Sequence, residues 1–342
     1  MVGRRPGIAL IERRGMSRRL ESGTRFAGYL IVSVLGEGGG GVVYRAERPG
    51  GGPCALKVIG GPAGEDPGFA TRFEREARYV SQLRHPSIIE LYESGRAEDG
   101  TAFQAMQYVE GADLGARIVR GVLDAATAVF VLDQIAGALD AAHAAGVIHR
   151  DVKPGNILLE DDGWPRSRAY LTDFGFAKNP TRDSVALTQQ GWFVGTTGYT
   201  APEEILAQER DYRVDVYSLA CVMYECFVGR PPFLRGSAVE MLKAHVTDPR
   251  PVVTELRPDL PPALDEVIAR GMAIAAVQRY SSCSALIEAA RAALGTPGEV
   301  AAGTSTEVAL GASAPAAEAV RPSDQPTLVR PVRPPPPSSR RP

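Results

Sequence analysis

A chain of 342 residues allows two or three folding units at roughly 100 to 200 residues each and excludes a small disulfide-stapled scaffold. Apolar residues make up 44% and charged residues 23%, the balance of an ordinary globular chain, so fibrous and wholly disordered classes are excluded. Lys plus Arg is 38 against 40 for Asp plus Glu, which leaves no basic excess to gather a nucleic-acid backbone, and nucleic acid is not an expected partner.

Residues 1–25 are arginine-rich and show no apolar period, so they read as a disordered basic leader, with Met16 a second possible start. From Tyr29 to Ile59 the runs YLIVSVLG, GVVYRAE and CALKVI alternate with glycine clusters, the pattern of successive antiparallel strands. Phe69 to Leu83 reads as a helix, and Ile88 to Tyr92 and Phe103 to Val109 as further strands. Beyond a hinge near Gly111, helical periodicity dominates, with helices expected over 125–145, 215–229, 237–247, 262–272 and 283–294. The fold class is therefore α+β, a folded region over 26–294 made of a small sheet-bearing part (26–110) and a larger helical part (111–294).

Residues 295–342 are rich in Pro and Ala and hold no aromatic residue, so they cannot bury enough surface to offset their ordering entropy. They read as a disordered tail with polyproline II character around Pro331 to Pro337, either a solvated linker or a docking peptide for a partner. Cys54, Cys221, Cys226 and Cys283 show no CxxC spacing, which fits reduced thiols in the cytoplasm. No apolar run approaches the roughly 20 residues of a membrane span, and none is expected.

Several residues carry chemistry. Gly36, Gly38 and Gly41 form a GxGxxG between two predicted strands, followed by Val43. Alone this pattern is weak, because glycine clusters also mark plain hairpins, but here it joins strand to strand, whereas the dinucleotide motif opens a helix. Lys57 lies on the next strand after Ala55. Only Lys57, Lys153, Lys178 and Lys243 are lysines in an otherwise Arg-using chain, and an ammonium at a phosphate site is not interchangeable with a guanidinium. The helix at 69–83 offers Glu74 and Glu76 as anionic partners, Glu76 sharing a face with Val80 and Leu83. His149-Arg150-Asp151-Val152-Lys153-Pro154-Gly155-Asn156 combines a carboxylate to orient a hydroxyl, a cation for a phosphoryl group and an amide oxygen for Mg²⁺; Asp173-Phe174-Gly175 adds a second metal-binding carboxylate.

With these motifs in this order, ending in Ala201-Pro202-Glu203, residues 26 to 294 resemble the eukaryotic-like Ser/Thr protein kinases of bacteria. The resemblance implies a bilobal kinase fold with ATP between the lobes and Mg²⁺ or Mn²⁺ as cofactor. It implies Lys57 paired to Glu76, Asp151 as catalytic base, Lys153 on the transferred phosphoryl, and Asn156 with Asp173 on the metal. It places the gatekeeper at Met106, before a hinge Gln107-Tyr108-Val109 whose backbone binds adenine. Asp215 would brace the catalytic loop, Arg279 would pair with Glu203, and Val80, Leu91, His149 and Phe174 would stack as a regulatory spine. Thr196 would bond to Asp151 and Lys153, and autophosphorylation, aided by self-association, would fall on Thr188, opposite Arg150, with Thr181 and Ser184 as alternates.

The sequence departs from the family pattern at Gly39-Gly40, at Ala220 in place of a common glycine, and at Ala275-Ala276-Val277 before the late Arg. A pseudokinase scaffold is disfavoured because Lys57, Asp151, Asn156 and Asp173 are all present. A small-molecule phosphotransferase would have no use for the stretch from Gly195 to Glu203, which resembles the segment on which protein substrates dock.

Overall fold

The computed structural model describes residues 19–38, 41–59, 77–161, 163–174 and 197–295. The chain divides into Met1–Glu299 and Val300–Pro342, and the second unit lies wholly outside the described residues, as do the leader up to residue 18 and the tail from residue 296.

The first part is a six-stranded antiparallel sheet in the order β1-β2-β3-β4-β6-β5, formed by β1 (Arg25–Phe26), β2 (Tyr29–Gly38), β3 (Gly41–Glu47), β4 (Pro53–Val58), β5 (Leu91–Arg96) and β6 (Ala102–Met106). Alternation builds it. Along β3, Val42, Tyr44 and Ala46 are buried and pack with Tyr29, Ile31, Cys54, Leu56 and Phe103, while Val43 turns to the other face. The strand expected over Ile88 to Tyr92 is shifted, because the ladder runs from Leu91 to Arg96. β5 is an edge strand paired only with β6, so it tolerates Glu93, Ser94 and Arg96, and its polarity hid it. Ile88 instead bridges Leu171 in parallel. The strand expected over Phe103 to Val109 ends at Met106, and of the helix expected over 69–83 residues 77–83 are described, of which 77–80 are helical.

The hinge expected near Gly111 lies immediately before it. Gly111 opens β7 (Gly111–Asp113), which forms a second sheet with β8 (Ile157–Glu160) and β9 (Ala169–Leu171), so the connection between the two parts is 107–110. A Cβ at Gly111 would lie 1.9 Å from the Leu159 carbonyl oxygen, so only glycine lets the strands approach.

The helical part comprises α1 (Leu114–Arg120), α2 (Ala125–Ala144), α3 (Pro202–Ile205), α4 (Arg213–Val228), α5 (Ala238–Thr247), α6 (Ala263–Gly271) and α7 (Cys283–Leu294). The five long helices fall within two residues of expectation, and three of them have a capped start: Asp124, Ser237 and Ser282 accept hydrogen bonds from first-turn amides of α2, α5 and α7, while α4 and α6 begin without a side-chain cap and Gly229 at φ 82° stops α4. The short elements β7, α1, β9 and α3 escaped the sequence reading, being too brief for a period to register. α4 is buried on every face, from Val214 to Tyr224 and again at Cys226 and Phe227, and is the axis of the larger core.

One expectation needs qualification. α2 is long and apolar enough to cross a membrane, although Asp133 and Asp140 interrupt it; here its apolar residues Val131, Leu132, Ile135 and Leu139 are fully buried in the core.

Candidate active site

The β2–β3 hairpin that carries the glycine motif closes with Gly38 paired to Gly41. The glycines differ in what they do. Gly41 has φ 121°, and a Cβ there would meet the Val58 carbonyl oxygen at 2.1 Å, so it is required by the fold. A Cβ at Gly36 would meet nothing within 4 Å, so this glycine keeps space open instead. Gly39 and Gly40 lie outside the described residues.

Behind the hairpin, Ala55 and Met106 are paired across β4 and β6 and buried with Ile89 and Tyr170; Val43, Leu91, Val109 and Leu158 pack against this cluster. This apolar cluster draws side chains from both parts of the fold, Ala55 and Met106 from the six-stranded sheet and Leu158 and Tyr170 from the second sheet. Leu158 was not singled out in the sequence. Its signal was the alternation of β8: Ile157 and Leu159 enter the larger core, so Leu158 must face the opposite way. Gln107 donates its amide to the Glu90 carbonyl at 2.8 Å, which fixes the hinge.

Lys57 Nζ lies 2.8 Å from Asp173 Oδ1, joining the sheet to the segment after β9. Its expected partner Glu76 lies outside the described residues, as do Thr196 and Thr188.

The loop at 149–156 hangs from α4. Asp215, fully buried, accepts hydrogen bonds from the amides of His149 (2.8 Å to Oδ2) and Arg150 (2.8 Å to Oδ1) and from His143 Nε2 (2.7 Å to Oδ2). This grip holds Arg150 at φ 63°, a left-handed conformation that a bulky residue avoids when free. Arg150 Nε is buried without a hydrogen-bond partner.

His149 is fixed as one tautomer: Nδ1 receives the Asp151 amide at 3.2 Å, and Nε2 faces the Thr172 carbonyl at 3.0 Å and must carry the proton. Burial pushes its pKa below the ordinary histidine value, so it is neutral. Its ring lies 4.6 Å from that of Phe174, one contact of the four-residue stack expected, while Leu91 packs against the cluster of Ala55 and Met106.

On Asp151 the polar groups converge. Lys153 Nζ lies 2.8 Å and Asn156 Nδ2 3.0 Å from Oδ2, and Nδ2 also donates to the Asp151 carbonyl at 2.8 Å. With the amide nitrogen so engaged, Asn156 presents its oxygen elsewhere. Asp173, at φ 54°, follows Thr172, whose amide is bound to the Asn156 carbonyl at 3.0 Å.

The segment after residue 196 is tied to the core. Ser218 Oγ donates to the Tyr199 carbonyl at 2.7 Å, and the Tyr199 hydroxyl donates to Glu225, whose carboxyl is pushed up by burial. Glu203 and Arg279 form a buried bidentate pair at 2.6 and 2.7 Å. The remaining Arg279 N–H groups go to the carbonyls of Ala273, Ile274 and Arg213.

A glycine-rich hairpin next to a lysine-bearing strand, an apolar cluster shared by both parts and a carboxylate gathered with a lysine and an asparagine are the parts of a phosphotransferase, and the chain belongs to the protein kinase family, whose domain matches residues 29–288. Among similar curated proteins is serine/threonine-protein kinase PknH of Mycobacterium tuberculosis, 41% identical over 317 residues, covering 92% of this chain and 47% of that protein. Serine/threonine-protein kinase PknE of Mycobacterium bovis is 42% identical over 280 residues, covering 80% of this chain and 47% of that protein. The chain thus spans about half the length of these relatives. Among solved structures, the kinase domain of Mycobacterium tuberculosis PknI superposes with a TM-score of 0.66 at 34% identity, over 81% of this chain and 100% of that one. The two-part α+β fold expected from the sequence is the bilobal kinase fold. Members of the family use ATP with a divalent cation.

Proposed function

We propose that this chain is a Ser/Thr protein kinase that transfers the γ-phosphoryl group of ATP to serine and threonine hydroxyls of proteins. The observation that carries this reading is the convergence of Lys153 and Asn156 on the Asp151 carboxylate, in a loop suspended from Asp215. Adenine occupies the slot of Val43, Ala55, Met106 and Leu158, bonding to the Gln107 carbonyl and the Val109 amide. Gly36, Gly38 and Gly41 cover the phosphates, and Lys57, supported by Glu76, holds them as a point charge. Asp151 orients the acceptor hydroxyl and takes its proton as the hydroxyl oxygen bonds to phosphorus and the β–γ bridging oxygen departs with ADP. Lys153 stays beside the transferred group and neutralises its charge.

The oxygen of Asn156 and the carboxylate of Asp173 are hard donors that fit Mg²⁺ or Mn²⁺. Bound there, the cation would neutralise charge on the phosphates.

Thr196 serves Asp151 and Lys153, and Thr188 is the autophosphorylation site, reached in trans by self-association; the unpartnered Arg150 Nε supports a phosphate arriving there. The four cysteines, all free and buried, support a reducing, cytoplasmic setting for the catalytic region at 26–294, and the tail serves as a linker or partner-binding peptide.

The test is radiolabelled ATP with wild type and Asp151→Asn, followed by phosphoamino-acid analysis. Loss of about 10³-fold in transfer with nucleotide binding retained is expected, with phosphoserine and phosphothreonine as products. A fully active Asp151→Asn protein, or predominantly phosphotyrosine product, would overturn the reading.

A further inference from the structure

Away from the cleft, α2 and α7 meet at side chains that phosphoryl transfer does not use. One ligand atom each from Asp140, His143 and Cys283 lies within 4.8 Å of the others. The His143 side chain is only 9% exposed. Its Nε2 faces Asp215 Oδ2 at 2.7 Å, and because a carboxylate only accepts, Nε2 carries the ring proton. Nδ1 is then a bare lone pair, buried and without a hydrogen-bond partner. It points to the side where Asp140 Oδ1 lies at 3.8 Å, beyond hydrogen-bond range. An imidazole whose N–H is held by a carboxylate while its other nitrogen faces a thiol and a second carboxylate is the arrangement that orients metal-binding histidines and raises their basicity.

We propose that Asp140, His143 and Cys283 form a zinc site, with a carboxylate oxygen, Nδ1 and Sγ as ligands and solvent completing the shell. The donor set selects for Zn²⁺ over Mg²⁺, since thiolate and imidazole suit the softer ion. Bond lengths of about 2.0–2.3 Å imply ligand separations of about 3.3–3.7 Å in a tetrahedron, so the present spacing closes with side-chain shifts of roughly 1 Å. Both Asp140 oxygens already receive amides of α7, from Cys283 and Ser284 at 2.9 Å each, but a carboxylate oxygen keeps a second lone pair. The N-terminus of α7 opposes a cation with about half a unit charge. Against it stand Asp140, Asp215 and the thiolate that forms when the metal takes the place of the Cys283 proton, which passes to solvent. Burial holds that thiol protonated in the metal-free protein. Metal here would clamp α2 to α7 and, through His143, stiffen the Asp215 grip on the catalytic loop.

The experiment uses the full chain, stripped with chelator and titrated with Co²⁺ in the absence of nucleotide. A thiolate-to-cobalt charge-transfer absorption saturating at one equivalent is expected, displaced by Zn²⁺, absent in Cys283→Ser and retained in Cys54→Ser. Asp140→Asn, which keeps an oxygen for α7, is expected to weaken Co²⁺ binding at least about tenfold. The oxygen donors Asn156 and Asp173 give no such absorption, so occupancy there does not confuse the readout. Absence of the band in wild type at excess Co²⁺, which needs no variant to fold, would overturn the proposal, as would a band surviving in Cys283→Ser.

Discussion

Asp215→Asn removes one oxygen from a fully buried carboxylate whose hydrogen bonds are all accounted for. Oδ2 serves the His149 amide and His143 Nε2, and Oδ1 serves the Arg150 amide. An asparagine oxygen placed at the Oδ2 position keeps the first two and turns its NH₂ against the Arg150 N–H, donor to donor; the opposite orientation loses both of the others. The less costly choice forfeits one charge-assisted hydrogen bond and strands a buried amide, a loss of about 2–3 kcal/mol. For a domain of this size that lowers the thermal midpoint by about 4–10 °C.

The kinetic effect is the sharper one. The lost bond is the one that holds Arg150 at φ 63°, a conformation costing about 1–2 kcal/mol for an L-residue. Released, Arg150 relaxes and carries the adjacent Asp151 with it, and a displacement of about 1 Å at the reacting centre costs on the order of 10²-fold in rate. Steady-state kinetics with a peptide substrate should show kcat reduced by that factor, while KM for ATP changes less than about threefold because the adenine slot and hairpin lie on other elements. A variant with kcat within twofold of wild type would refute the claim that Asp215 positions Asp151, whatever its midpoint.

Arg279→Met leaves Glu203 buried without its countercharge and should cost about 3–5 kcal/mol in urea unfolding; a loss below 1 kcal/mol would contradict the pairing's role. A Cβ at Gly271 would lie 2.7 Å from the Ala220 Cβ, so Gly271→Ala should destabilise by about 1–3 kcal/mol and Ala220→Gly should restore most of it; a double-mutant cycle with no coupling would refute the contact. His245, buried beside Arg250, has its pKa lowered from 6.5 to about 4. Its folded value lies below the unfolded one, so the unfolded chain binds the proton first on acidification. Its contribution is intact at neutral pH and declines as pH falls from about 6.5 toward 4, by about 2 kcal/mol between pH 7 and 5. His245→Asn, which keeps an acceptor for the Tyr217 hydroxyl, should flatten that slope in denaturant unfolding measured across pH; an unchanged slope would assign it to other groups.

What the sequence made legible was set by how local each signal is. α2, α4, α5, α6 and α7 are long enough for a period and a cap to show, and β2, β3 and β4 alternate cleanly. β5 was misplaced because an edge strand need not be apolar, and β7 and β9, of three residues each, carry no period. In the cleft, Lys57, Asp151, Asn156 and Asp173 could be picked out because their chemical types converge in short motifs. Leu158 was passed over because a leucine in an apolar strand has no chemistry to announce; only the knowledge that β8 separates two cores distinguishes it from Ile157 and Leu159. The bond of His143 to Asp215 was equally hidden, since nothing local links a histidine at the end of α2 to a carboxylate in α4.

Ala220 shows how a departure from a family pattern is absorbed. Read alone, an alanine in place of a common glycine in a fully buried helix predicts crowding, because interiors have no room for an added methyl group. The structure places Gly271 of α6 directly opposite, so the missing glycine is found on the partner helix and the close approach is preserved. That matters for the cleft because α4 is its mechanical reference. The helix carries Asp215, which holds the catalytic loop; Ser218 and Glu225, which hold Tyr199; and the Arg213 carbonyl, which helps to hold Arg279 and so Glu203. These are polar groups projecting from a helix with no solvent-facing side, each satisfied by a partner outside it. A shift of α4 by a methyl's width would therefore disturb the catalytic loop and the segment at 197–203 together, and a glycine at position 271 keeps α4 where both can reach it.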